Sequence, residues 1–213
     1  MDGVVPAVRV VGLVKRFGSG PAVIDGLDLD IASGSAVSLI GANGTGKSTL
    51  VRMLVRLVEP DGGSVHVLGV PVRGLGAREL KALRSRVGFV FQKHNLVARL
   101  SALSNVVHGV QSRRSGPRTW HQAFAPADVR DEAMACLERV GLAHKASSRV
   151  DTLSGGQAQR VAIARMLMQR PELVIADEPD ASLDPKSGED VMALLLSLAR
   201  DRGATLVVVS HRM

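Results

Sequence analysis

GANGTGKST, running from Gly41 to Thr49, decides how this 213-residue chain folds. It fits the phosphate-binding pattern G-x-x-x-x-G-K-[ST], with Gly41, Gly46, Lys47 and Ser48 at the fixed positions. The apolar run Ala36–Ile40 precedes it, and the helix-like Leu50-Val51-Arg52-Met53-Leu54 follows. The order is strand, glycine-rich loop, helix, the only context in which the motif carries meaning. From Gly41 through Ala42, Asn43, Gly44 and Thr45 to Gly46, backbone N–H groups can crowd around a polyphosphate, because glycine reaches conformations closed to other residues. The new helix, beginning with Lys47, Ser48 and Thr49, points its positive dipole end at the same anion. Lys47 neutralises the β- and γ-phosphates, and Ser48 offers a hydroxyl to Mg²⁺.

Working outward, the bulk composition sets limits. A hydrophobic content of 46% supports a sizeable core, and with aromatics at 2% that core is aliphatic. The length suits one domain, or a domain with a small subdomain. A net charge of +7 suits a protein that handles phosphates or sits near an anionic membrane face, and equally a merely basic protein. The single cysteine, Cys136, excludes an internal disulfide framework and reads as part of a buried helix face. The first ten residues do not read as a signal peptide. The apolar stretch Val191–Ala199 is too short to span a bilayer, so the chain is expected to be soluble, with any membrane role coming through a partner.

Along the chain, Val8–Leu13, Leu27–Ile31, Ala36–Ile40, Ser64–Leu68, Val87–Phe91, Leu173–Ala176 and Thr205–Val209 read as strands. Helices are expected over Lys47–Val58, Ala77–Arg86, Ser154–Gln169 and Pro185–Arg200, with a turn at Lys15–Gly20. Ser101–Leu142 is helical, interrupted by a basic segment over Gln111–Pro126 that contains Arg113, Arg114, Arg118, Trp120 and Phe124. Without aromatic interleaving, that segment reads as a solvated surface, and no nucleic-acid partner is expected. Strands alternating with helices predict an α/β fold around a parallel sheet.

Two further stretches carry chemistry. The strand Leu173–Ala176 delivers Asp177-Glu178-Pro179 at its carboxyl end, where ligands of parallel sheets bind. Asp177 is placed to hold Mg²⁺ beside Ser48, and Glu178 to polarise an attacking water as general base. Taken alone, such an acidic pair also describes a surface turn. Leu153-Ser154-Gly155-Gly156-Gln157 opens a helix with a good cap, Ser154, followed by two poor helix formers. A second anion site explains them: bare N–H groups, the helix dipole and the Ser154 hydroxyl all aimed at phosphate. One ATP has no evident need of two such sites in one chain, but two facing chains could supply one each.

The ordered set Gly41–Thr49, Gln92, Leu153–Gln157, Asp177-Glu178-Pro179, Ser182-Leu183-Asp184 and His211 resembles the ATP-binding subunits of ABC transporters, over nearly the whole chain. The resemblance implies a P-loop NTPase core with a parallel sheet, an N-terminal antiparallel β subdomain and an inserted helical subdomain. Residues 1–92 and 158–213 would form the core and β subdomain, and residues 93–157 the helical subdomain with the signature motif. It implies ATP and Mg²⁺ as ligands, with Gln92 touching the metal or water and linking the site to membrane subunits. Phe17 would stack on adenine, although plain packing explains it almost as well. Ser154, Gly155, Gly156 and Gln157 would clasp the γ-phosphate on a second copy, Asp184 would sit at the dimer interface, and His211 would touch the γ-phosphate. Implied partners are a second copy, membrane-spanning permease subunits and, indirectly, a periplasmic or extracellular substrate-binding protein. The implied place is the cytoplasmic face of the cell membrane.

Phe89–Val97, Arg99-Leu100-Ser101, Asn105-Val106, Thr119-Trp120, Phe124 and Leu137–Leu142 look more narrowly like the ATPase subunit of phosphonate importers. There are departures from the family. Asp180 adds a third acid near the metal, and Ser35 stands where Glu is common. Family members also continue past the point where this chain stops, so a C-terminal part is expected to be missing. Alternatives in view of that ending are a non-transport ABC ATPase and an inactive or regulatory subunit. A stand-alone phosphate-loop kinase would leave the Leu153–Gln157 motif without a task.

Overall fold

The computed structural model describes residues 5–114 and 122–211. Arg118, Thr119 and Trp120 lie outside the described residues. In chain order the elements are β1 Val8–Arg16, β2 Ala22–Ile31, β3 Ala36–Ile40, α1 Lys47–Leu54, β4 Gly62–Val67, β5 Val70–Pro71, α2 Ala77–Arg86 and β6 Val87–Val90. They continue with α3 Ala102–Val107, α4 Ala127–Arg139, α5 Gly155–Leu167, β7 Leu173–Asp177, α6 Pro185–Arg202 and β8 Thr205–Ser210.

Two four-stranded sheets result. The first has the order β2-β1-β4-β5 and is antiparallel throughout. The second has the order β3-β8-β7-β6 and is parallel throughout. The short continuous apolar strands belong to the second sheet, where β7 and β8 are buried on both faces and β3, at the edge, alternates exposed and half-buried residues. The pleat shows this directly. Leu173, Ile175, Val207 and Val209 enter a core shared with α1 and the antiparallel sheet, including Leu13, Ile31 and Met53. Their neighbours Val174, Ala176, Leu206 and Val208 enter a second core with α3, α4, α5 and α6, including Leu137, Ile163 and Leu195. Adjacent residues of one strand thus serve opposite layers. Each fully buried leucine or isoleucine there is worth about 1.5–3 kcal/mol. Cys136 is buried on α4, as expected.

Several boundaries differ from the sequence reading, for physical reasons. The helix expected to reach Val58 stops at Leu54. Arg56 adopts φ 51°, its N–H donates to Met53 O, and the Leu57 N–H donates to Arg52 O. This is a Schellman ending with arginine where glycine is usual, so no stop signal was written in the composition. β1 runs through Lys15 and Arg16, which were read as turn, because the Asp61 carboxylate accepts from the Arg16 N–H and pairs with Lys15. β2 begins five residues earlier than expected. The helix after Ser101 lasts only six residues before a 3-10 turn over His108–Ser112. Gly109 forces that close approach: a Cβ there would lie 2.1 Å from Arg165 O on α5.

The boundary drawn at residues 157 and 158 falls inside α5, which packs on α3 and α4 and also on β6. Helical layer and parallel sheet therefore share one helix and one core.

Candidate functional site

The loop at Gly41–Gly46 links β3 to α1. Gly46 sits at φ 87°, and an added Cβ would meet Val23 and Ile24 of β2 at 3.0–3.1 Å. Glycine is required there on both counts. Lys47 folds back over the loop, donating to Gly41 O and Ala42 O at 2.7 Å each. Its ammonium is therefore held inside the ring of loop backbone where an anion would sit. Ser48, one residue on, donates its hydroxyl to Asp177 Oδ1 at 2.7 Å. Asp177 is 2% exposed at the carboxyl end of β7.

A cavity of about 410 Å³ opens over this point, lined by Asn43, Gly44, Gly46, Lys47, Ser48, Thr49, Gln92, Glu178 and His211, among others. Four separately predicted elements meet here: the loop, the end of β7, Gln92 two residues after β6 and His211 directly after β8. The parallel order explains it, because all four strands point their carboxyl ends the same way. Glu178 adopts φ 52°, and its N–H donates to Val209 O at 3.1 Å. A left-handed conformation at a non-glycine residue costs about 1–3 kcal/mol, and such strain gathers at functional sites. Here it lifts the carboxylate off the line of β7 and into the cavity. His211 Nδ1 lies 3.4 Å from Glu178 Oε1.

Arg52 was missed by sequence reasoning. Its guanidinium lies 3.2 Å from Asp177 Oδ2. The signal was present, since Ser48 and Arg52 are four apart and share a face of α1. Asp180, expected to add a third acid near the metal, is buried and does not line the cavity. Phe17 is 54% exposed just beyond β1, with Lys15 Nζ 5.2 Å from its ring centroid, and it too stands outside the cavity lining.

The Ser154–Gln157 motif lies elsewhere, against a separate cavity of about 270 Å³ that also touches His144, Arg160 and Ser187. Ser154 Oγ accepts from the Gln157 N–H at 3.3 Å, and the Gln157 side chain accepts from the Ser154 N–H at 3.1 Å. This reciprocal capping box starts α5. Neither glycine is demanded by packing within the chain, since added Cβ atoms would make ordinary contacts at 3.5 Å with Leu183 and Ser187. Asp184 caps α6, accepting from the Ser187 N–H at 3.0 Å. Hydrogen bonds from Ser187 hold its carboxyl below the usual range.

The comparisons agree with this geometry. The family model described as "ABC transporter" matches residues 24–181. A phosphonates import ATP-binding protein of Synechococcus sp. is 42% identical over 204 residues, covering 96% of this chain and 76% of its own. One from Pseudomonas savastanoi pv. phaseolicola is 47% identical over 214 residues, covering 97% and 76%. Among solved structures, the dimeric post-hydrolysis state of the ATP-binding cassette MJ0796 with ADP and Pi superposes with a TM-score of 0.83 at 35% identity, covering 96% of this chain and 88% of that one. The cbiO1 structure from Clostridium perfringens, part of a cbiONQ transporter complex, has a TM-score of 0.84 at 28% identity, covering 97% and 79%. The chain belongs to the ABC transporter family and is one of its ATP-hydrolysing cassettes.

Proposed function

We propose that this cassette is the motor subunit of an importer for phosphonates or a related phosphorus compound. It works as a homodimer on the cytoplasmic face of the membrane, beneath permease subunits that a substrate-binding protein supplies. The observation that carries the mechanism is the separation of two half-sites. The phosphate loop, Gln92, Glu178 and His211 line one cavity, and Ser154–Gln157 lines another. A second copy in a two-fold arrangement would bring its signature helix over this chain's loop, so that ATP closes the interface and hydrolysis opens it. The dimeric MJ0796 cassette supports this reading, and the substrate class rests on the names of relatives 42–47% identical.

In each composite site the loop N–H groups and Lys47 hold the phosphates. Ser154 and the bare Gly155 and Gly156 of the partner copy would bind the γ-phosphate from the far side. Glu178 accepts a proton from the attacking water, and His211 beside it fixes the carboxylate and faces the γ-phosphate. Mg²⁺ fits the donor set. Ser48 and Asp177 bring two hard oxygens together, and no larger His, Cys, Asp or Glu cluster exists among the described residues. A small cation that relies on one carboxylate and the substrate's own phosphates needs no more. When bound it neutralises charge on the phosphates; Gln92 stands where it can touch the metal or its water.

No helix among the described residues is long and apolar enough to cross a membrane, and this reading gives the crossing to permease subunits. A mixed cavity lined by Phe89, Phe91, His108 and Arg165, close in sequence to Gln92, is where a permease element would dock. The test is uptake of a labelled alkylphosphonate by cells carrying the binding protein, permease and this chain. Uptake should vanish when the chain is deleted and return when it is restored. Unchanged uptake, or restored uptake of an unrelated solute only, would overturn the substrate reading.

A further inference from the structure

Arg165 lies in the last turn of α5, half-buried, with no paired carboxylate among the described residues. Burial pushes its guanidinium below the ordinary value. A desolvated charge without an acid partner needs another reason to be there. Its polar partners among the described residues are two consecutive backbone carbonyls of the segment after β6: NH1 donates to Asn95 O at 2.6 Å and NH2 to His94 O at 3.1 Å. A planar guanidinium is the side chain suited to bridging two acceptors in fixed geometry. Asn95 itself adopts φ 50°, so the backbone there is shaped around the clasp. The segment is held at the C-terminal turn of α5, and Gln92, at the nucleotide cavity, lies only two residues before it.

We propose that Arg165 is a positioning residue for Gln92. It straps the segment after β6 to the signature helix. Gln92 at this chain's nucleotide and Ser154–Gln157 at the other copy's nucleotide then shift as one body. Arg165 also lines the cavity formed with Phe89, Phe91 and His108, so anything seated there touches the strap directly. The inference rests on reading Gln92 as a group that works at the ATP site.

The experiment measures ATP hydrolysis by the purified full chain as Gln92→Ala, as Arg165→Lys and as the double variant. Lysine keeps charge and stem but cannot bridge both carbonyls. Gln92→Ala should lower kcat, and Arg165→Lys should lower it about 10- to 100-fold with KM for ATP unchanged, since a small misplacement of a working group has effects of that order. In the Gln92→Ala background, Arg165→Lys should then change kcat no further. Hydrogen exchange over residues 93–97 should quicken in Arg165→Lys while that of β3 and α1 stays the same. Where Arg165→Lys does not fold, Arg165→Gln, which removes the buried charge as well, is read the same way. Fully additive losses, or an unchanged kcat in either Arg165 variant, would overturn the strap. A silent Gln92→Ala would instead overturn the reading of Gln92 on which it rests, and the strap with it.

Discussion

The two ends of the nucleotide machinery in this chain are built differently. Around the phosphate loop, Lys47 closes on the loop itself, and Ser48, Arg52 and Glu178 each meet a group from a distant part of the sequence. Lys47 closes on Gly41 and Ala42, Ser48 on Asp177, Arg52 on Asp177, and Glu178 on His211. At the signature helix, the Ser154 and Gln157 side chains cap each other, and two glycines stand without a packing reason among the described residues. The first region gathers groups from several elements around one cavity. The second is a capped helix start whose glycines leave backbone amides uncovered by side chains of their own. A helix N-terminus with bare amides is useful only when a ligand is brought to it, so the difference itself argues for assembly.

The largest effect expected from breaking this comparison is on the loop side. Glu178→Gln keeps the shape and removes the proton acceptor, so kcat should fall about 10²- to 10⁴-fold while ATP binding persists. Size-exclusion chromatography with ATP should show the variant accumulating as dimer. Near-wild-type turnover would remove Glu178 from the role of base.

A mixing experiment asks whether the signature serves the other copy. Lys47→Ala disables the loop. Gly155→Asp places a carboxylate where phosphate would lie, and it should fold, because an added Cβ meets Leu183 at an ordinary 3.5 Å and acids suit a helix's first turn. Each variant alone should be inactive. Mixed, they form dimers with one intact composite site, and part of the activity should return. If the signature served its own chain's nucleotide, mixing would restore nothing.

The smallest effect concerns the hinge between the regions. Burial lowers the His94 pKa from its ordinary 6.5, with the Gly155 backbone opposing in part. The unfolded chain therefore takes up the proton first as pH falls. The stability contributed by neutral His94 is present above about pH 6.5 and is lost as pH drops through the folded pKa. The variant His94→Gln should show a flatter dependence of Tm on pH below that point. An unchanged slope would place the pH sensitivity in other groups.

Much of this was legible from residue types alone. The phosphate loop, the acidic pair and the capped glycine pair each carry local chemistry with fixed spacing. The alternation of strands and helices required a parallel sheet. What escaped was set by backbone conformation and by side-chain bonds to backbone that residue type does not announce. Arg56 ends α1 in a conformation its type does not announce, with Arg84 donating to its carbonyl. Asn105 read only as part of a resemblance, yet it is fully buried and braces the loop before α3 through Val97 and Ser101. Arg165 read as one more basic residue in a helix. Neither pairing has a sequence spacing to betray it.

The sequence by itself determined that a phosphate-loop pattern stands at Gly41–Thr49 between a strand and a helix, that Asp177 and Glu178 stand at the end of a strand, and that Ser154 starts a helix. Local propensity and motif spacing suffice for these, because each depends on neighbours a few residues away. Only the tertiary structure decided which of them share a cavity. The order β3-β8-β7-β6 brings the loop, Gln92, Glu178 and His211 to one edge of the parallel sheet. The same packing carries Ser154–Gln157 away on α5, against a different cavity. That separation follows from packing: α1 starts at the loop and covers one face of the sheet, whereas α5 packs on α3 and α4 as well as on β6 and so carries its start away.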